Sequence, residues 1–197
     1  CSGKHTGMLA QAMLGGYPKE DYINPSHPVQ QTILKTFSEV TGVPAEQIIP
    51  GTDGCSAPVF AIPMEKAARV FALLADPASL PEPRQAALRR VFAAMTTYPT
   101  MVAGPSGFDT ALMTVGSGKI LSKGGAEGYQ ALALLPGACG EGSPAYGITI
   151  KIADGDQSRP ERARPVAAIA LLQQLGALNG EQVQALAKFA ARPLYNW

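Results

Sequence analysis

Three short apolar runs, at residues 119–122, 129–135 and 146–152, stand close together in a chain whose other apolar residues recur at helical spacing. The middle run is nearly all apolar, as a strand buried on both faces must be. In the third, Tyr146, Ile148, Ile150 and Ile152 alternate with Gly147, Thr149 and Lys151, which predicts a strand with one buried face. The connections are too short for crossover helices, so the three strands pair as antiparallel neighbours. The fold class is therefore α+β, an antiparallel sheet packed with helices.

The helices are read from period and punctuation. Residues 6–14 carry Met8, Leu9, Ala12 and Met13 on one face and stop at Gly15-Gly16. Ser26 caps a second helix with Pro28 in its first turn, and Val29, Ile33, Phe37 and Val40 line one side before Gly42. His27 reads as a capping or surface residue. Residues 63–75 turn Met64, Ala67, Ala68, Phe71 and Leu74 inward. Residues 82–97 turn Ala87, Leu88, Val91, Phe92 and Met95 inward and stop at Tyr98-Pro99. A short helix follows at 108–115, then one at 162–175 with Val166, Ile169 and Leu172 inward. Asn179 caps a last one that runs to 190.

A chain of 197 residues with 46% hydrophobic and 16% charged content can bury one core, and residues 1–197 read as a single domain. A net charge of +1 implies no nucleic-acid partner. No apolar run reaches the ~20 residues of a membrane span. Three cysteines cannot close a set of disulfides, which points to reduced thiols and a cytoplasmic protein.

Chemistry is concentrated in three polar knots. The first is Cys1-Ser2-Gly3-Lys4-His5-Thr6-Gly7, at the start of the first helix, where free N–H groups favour an anion. The second is Gly51-Thr52-Asp53-Gly54-Cys55-Ser56-Ala57-Pro58, a loop bounded by Pro50 and Pro58. The third is Ser122-Lys123-Gly124-Gly125-Ala126-Glu127-Gly128. Cys1 and Lys4, at i and i+3, face the same way. With Cys55 they supply soft and borderline donors suited to zinc, Lys4 or His5 being the third ligand; the spacing equally fits two buried inert thiols beside a surface lysine. His5 is a candidate proton carrier or a core histidine. Asp53 can bind a substrate ammonium, orient Lys4, or hold its loop as an Asx-turn. Lys123, at the end of an edge strand and followed by small residues, matches the lysine–small–small element of penicillin-recognising enzymes, in which that lysine faces the catalytic serine.

Taken together, Cys-Ser-Gly-Lys-His-x-Gly-Met-Leu, Gly-x-Asp-Gly-Cys-x-x-Pro and Ser-Lys-x-Gly-Ala-Glu-Gly resemble the rhizobial-type, class 3 L-asparaginases. The likeness covers essentially the whole chain. It implies a fold like serine β-lactamases and glutaminases, and hydrolysis of L-asparagine to L-aspartate and ammonia. It implies a Zn²⁺ held by Cys1, Lys4 and Cys55 that serves substrate affinity near a serine–lysine centre. Lys123 and His5 become the catalytic candidates, Asp53 and Ser2 the substrate-binding ones. L-asparagine is the small-molecule partner, with a homodimer as the assembly to test.

The chain departs from the family in one respect. The family's nucleophile lies in a Ser-x-x-Lys tandem upstream of the first knot, and here Ser38, Ser79 and Ser117 have no lysine three residues on. The sequence reads as the C-terminal portion of such an enzyme, with activity resting on the missing part. Two other readings stand beside this one. Cys1 could be an N-terminal nucleophile with its own amine as base, or the chain could be a non-catalytic module that binds amides or amino acids.

Overall fold

A computed structural model describes residues 2–153 and 163–190. They form two compact units, Cys1–Lys66 and Ala67–Trp197.

In the first unit, helix α1 (Ser2–Leu14) packs on α2 (Pro28–Thr41). A 3-10 turn at Ala45–Gln47 leads into a hairpin of β1 (Ile49–Thr52) and β2 (Pro58–Ala61), with Thr52 opposite Pro58. Met8, Ala12, Val29 and Ala57 make a small core, flanked by Tyr22, Ile23, Ile33 and Cys55. The loop expected between Pro50 and Pro58 is present at 53–57, but the segments that carry the two prolines are strands of a hairpin. Proline removes a ladder donor, but a two-stranded ribbon has free edges on both sides, so both prolines are tolerated there. The α2 cap is also corrected. Ser26 turns its hydroxyl onto Asn24 Oδ1 at 2.8 Å, and the cap is His27, whose Nδ1 accepts the Val29 N–H at 3.2 Å. His27 is buried rather than superficial, and its Nε2 donates to the Pro18 carbonyl at 3.0 Å.

In the second unit, α3 (Met64–Ala75, most of which lies here), α4 (Glu82–Thr97), α5 (Pro99–Ala103) and α6 (Phe108–Val115) precede the sheet. The sheet is β3 (Ile120–Gly125), β4 (Tyr129–Leu134) and β5 (Tyr146–Lys151), antiparallel in the order β3-β4-β5. Helices α7 (Arg164–Gln174) and α8 (Gly180–Ala185) follow. Asn179 caps α8 in a full capping box with Gln182, as the sequence predicts, but α8 gives way to a 3-10 turn at Ala187–Phe189.

Strand alternation divides the core in two. Ile120, Leu132 and Leu134 face Phe108, Leu112, Ala168, Ile169 and Leu172 from α6 and α7. Leu121 and Ala133 face Phe71, Leu74, Phe92 and Met113 on the other side. β4 is thus buried on both faces, as expected, whereas β5 is half-buried along both faces. A side chain at Gly147 would collide with the backbone of α3 at Ala68 and Ala72, so the absent Cβ lets that helix lie directly on the strand. Four residues expected on apolar faces are exposed instead: Met13, Met64, Ala87 and Val91. Helix α4 meets α5 and β3, and Phe92 is its one buried residue. Among the described residues no helix is long and apolar enough to cross a membrane.

Candidate functional site

The first unit brings the first two knots together. Lys4 and His5 lie in the opening turn of α1, and residues 53–57 form the tip of the β1–β2 hairpin. The tip is held by its own backbone: Asp53 N–H donates to the Ala57 carbonyl and Ser56 N–H to the Asp53 carbonyl, both at 3.0 Å. Asp53 also closes an Asx-turn, its Oδ1 accepting the Cys55 N–H at 2.8 Å. Fully buried Ala57 ties the tip into the core beside Met8 and Ala12.

The second oxygen of Asp53 pairs with the Lys4 ammonium. The Cys55 thiol, the Lys4 amine and the Cys55 N–H hold the Asp53 carboxyl far below the usual carboxylate range. For Lys4, partial burial pulls the ammonium down, but hydrogen bonds with Asp53 and Cys55 outweigh it and leave its pKa above the ordinary 10.5. Asp53 therefore both shapes the tip and orients Lys4.

His5 connects the tip to the loop before α2. Its Nε2 lies 2.9 Å from Cys55 Sγ and its Nδ1 2.6 Å from Tyr22 Oη. Tyr22 is fixed in turn by buried Gln30, whose Nε2 donates to the Tyr22 carbonyl at 2.8 Å. Proton exchange between thiol and imidazole is available at this distance, and the thiolate is the form of cysteine that binds metal or attacks a carbonyl. Tyr22 was missed by sequence reasoning, and nothing in its loop marks it out.

Ser2 opens α1 and is exposed. Cys1 lies outside the described residues. Lys123 belongs to the second unit, where it is exposed near the end of β3 and its amine donates to the Gly124 carbonyl.

As to metal, the described donors are one thiol, one amine, one imidazole and one carboxylate within a single hydrogen-bonded group. The Lys4 amine and the Cys55 backbone N–H both bond to the Asp53 carboxylate, which brings an amine-bearing and a thiol-bearing residue to one loop, and this donor chemistry fits Zn²⁺. Among the described residues, no three His, Cys, Asp or Glu side chains form a cage on their own. A site here requires the lysine.

The second unit holds polar residues that sequence reasoning passed over. Asp109, Ser122 and Gln130 are buried and bonded to one another, and Arg164 joins them. The signal was legible: Gln130 interrupts an apolar strand and Asp109 opens an apolar helix, and buried polar groups need partners.

A mixed α+β chain with a thiol–amine–imidazole–carboxylate cluster admits several hydrolytic chemistries, and comparison with known families narrows them. The profile of the L-asparaginase II family matches residues 1–197, and the chain belongs to that family. A comparison with curated proteins returns no match.

Proposed function

We propose that the protein is an L-asparaginase with a fold like serine β-lactamases, releasing ammonia from the side-chain amide of L-asparagine. The observation that carries this reading is the family match across the full 197 residues. The order of the sheet supports it: a lysine-bearing outer strand, two antiparallel neighbours and then a helix.

In this reading the nucleophile is a serine of a Ser-x-x-Lys pair in sequence ahead of Cys1. Its oxygen bonds to the amide carbon as its proton passes to the neighbouring lysine. The C–N bond then breaks, ammonia leaves with a proton, and water hydrolyses the ester to aspartate. Lys123 carries a proton or stabilises the developing oxyanion from the free end of β3.

Zinc would be held by Cys1, Lys4 and Cys55, and when bound it supplies a fixed positive charge that draws the substrate. Lys4 must lose its proton to serve as a ligand, and its raised pKa opposes that, so loading favours higher pH. His5 takes the proton that Cys55 releases, and Tyr22 keeps the imidazole in place. Asp53 holds Lys4 and keeps lone pairs for a substrate ammonium, while Ser2 offers a hydroxyl at the start of α1. Free thiols at Cys55 and Cys139 support a reducing, cytoplasmic setting.

The test is ammonia release by the product of the complete gene, with L-asparagine and L-glutamine compared. Turnover of asparagine in preference to glutamine is expected, and inactivity on both ends the reading.

A further inference from the structure

The second unit buries a carboxylate for which the reaction above has no use. Asp109, in the first turn of α6, is 5% exposed and accepts three hydrogen bonds. Ser122 Oγ donates to Oδ1 at 2.6 Å and Gln130 Nε2 to the same oxygen at 2.9 Å. The Gly124 N–H donates to Oδ2 at 2.7 Å. Gln130 Nε2 also reaches Ser122 Oγ at 2.9 Å, and Gln130 Oε1 accepts Arg164 Nη1 at 2.7 Å. In this network the guanidinium stands one amide away from the carboxylate. Apolar residues of the same volume fill such a space at equal or better stability. A charged network kept there needs a reason beyond packing.

The reason lies in what the carboxylate grips. Alternation along β3 puts Ser122 and Gly124 on the face towards Asp109 and Lys123 on the opposite face. Asp109 thus holds the residue before Lys123 and the residue after it, without touching the lysine. The Gly124 residue links the two directly: its N–H donates to Asp109 and its carbonyl accepts the Lys123 amine. Glycine suits the position, because a Cβ would push aside the end of the Arg164 side chain and lie 3.1 Å from Asp109 Oδ2. The grip falls where burial along β3 ends, since Ile120 to Ser122 are buried and Lys123 is exposed. An outer strand that leaves the core at this point is free to fray unless something outside the ladder holds it.

We infer that Asp109 is a positioning residue for Lys123, clamping both of its neighbours on β3 through a network completed by Ser122, Gln130 and Arg164. The inference rests on the reading of Lys123 as a catalytic lysine.

The experiment is a double-mutant cycle on the product of the complete gene, with kcat, KM and thermal unfolding measured for each form. Asp109→Asn keeps the size of the side chain but leaves one acceptor oxygen for three donors. It should lower kcat by roughly 10–100-fold with KM nearly unchanged, as expected when a reacting group is misplaced by a fraction of an ångström. Added to Lys123→Ala it should cost nothing further, because the group it positions is gone. Ser122→Ala should behave in the same way with a smaller loss, and it decides the matter if Asp109→Asn does not fold. Additive losses in the double variant, a change in KM alone, or a loss of kcat that follows the folded fraction overturns the inference. A Lys123→Ala enzyme with full kcat overturns the reading of Lys123, and the inference with it. A damaged Lys123→Ala with additive losses overturns the inference alone.

Discussion

His5 and Cys55 are fifty positions apart in sequence and 2.9 Å apart in space, ring nitrogen to sulfur. The contact joins the first turn of α1 to the tip of the β1–β2 hairpin and sets the chemistry of the first unit. A thiol alone in a core is inert. A thiol against an imidazole, itself held by Tyr22, has a proton acceptor within reach, which is what the proposed role as a ligand needs.

The first prediction follows from that contact. Cys55→Ser should abolish zinc retention, read by metal analysis of protein purified without chelator. Tyr22→Phe removes the hydroxyl that orients His5 and should weaken zinc by about 10–100-fold, as loss of an outer partner commonly does. Full metal content in Cys55→Ser would rule out this thiol as a ligand.

Lys123→Ala should reduce kcat on asparagine by about 10²–10⁴-fold, the range for loss of a proton carrier. Lys35, an exposed lysine on α2, serves as the control and should be replaceable without effect. Equal activity of the two variants would exclude the role given to Lys123.

Gly147→Ala places a methyl group against the backbone of α3, and backbone cannot swing aside as the end of a long side chain can. A loss of roughly 1–3 kcal/mol is expected in denaturant unfolding. Unchanged stability would mean that α3 does not lie on β5 as described.

The alkaline limb of stability should involve Tyr129. Burial raises its phenol above the ordinary 10.0, so the folded state holds the proton longer than the unfolded chain. The sign follows: the contribution is whole below pH 10.0 and is lost as pH rises through the higher folded value. Thermal unfolding from pH 8 to 11 should fall off less steeply in Tyr129→Phe. An identical slope in both proteins would remove Tyr129 from the account.

Sequence alone reached the β3–β4–β5 sheet because its strands are short, apolar and closely spaced, and no other element competes for that pattern. It reached Asn179 because the capping box is local chemistry. It missed the hairpin because Pro50 and Pro58 argue against a strand in any sheet wider than two. It placed the α2 cap at Ser26, the usual capping residue, with His27 as the other capping candidate; a local bond to Asn24 two residues back takes up the Ser26 hydroxyl and leaves the cap to His27. Of the site, the motifs named Cys1, Ser2, Lys4, His5, Asp53, Cys55 and Lys123; hydrogen bonds link Lys4, His5, Asp53 and Cys55, while Cys1 lies outside the described residues. Tyr22 was beyond reach, since its partner is set by folding and not by spacing. Asp109 and Gln130 were within reach had the buried polar positions been asked for partners.

The two bonds of Asp53, one to the Cys55 N–H and one to Lys4, bear on how this protein can be redesigned. Turn shape and charge placement are fused in a single side chain, so position 53 cannot be varied for one purpose without disturbing the other. Its neighbours are separable. Gly54 has open space around its Cα, and Ser56 sits at φ 68°, where glycine or asparagine is at ease. A mutational library at this tip should hold 53 constant and diversify 54 and 56.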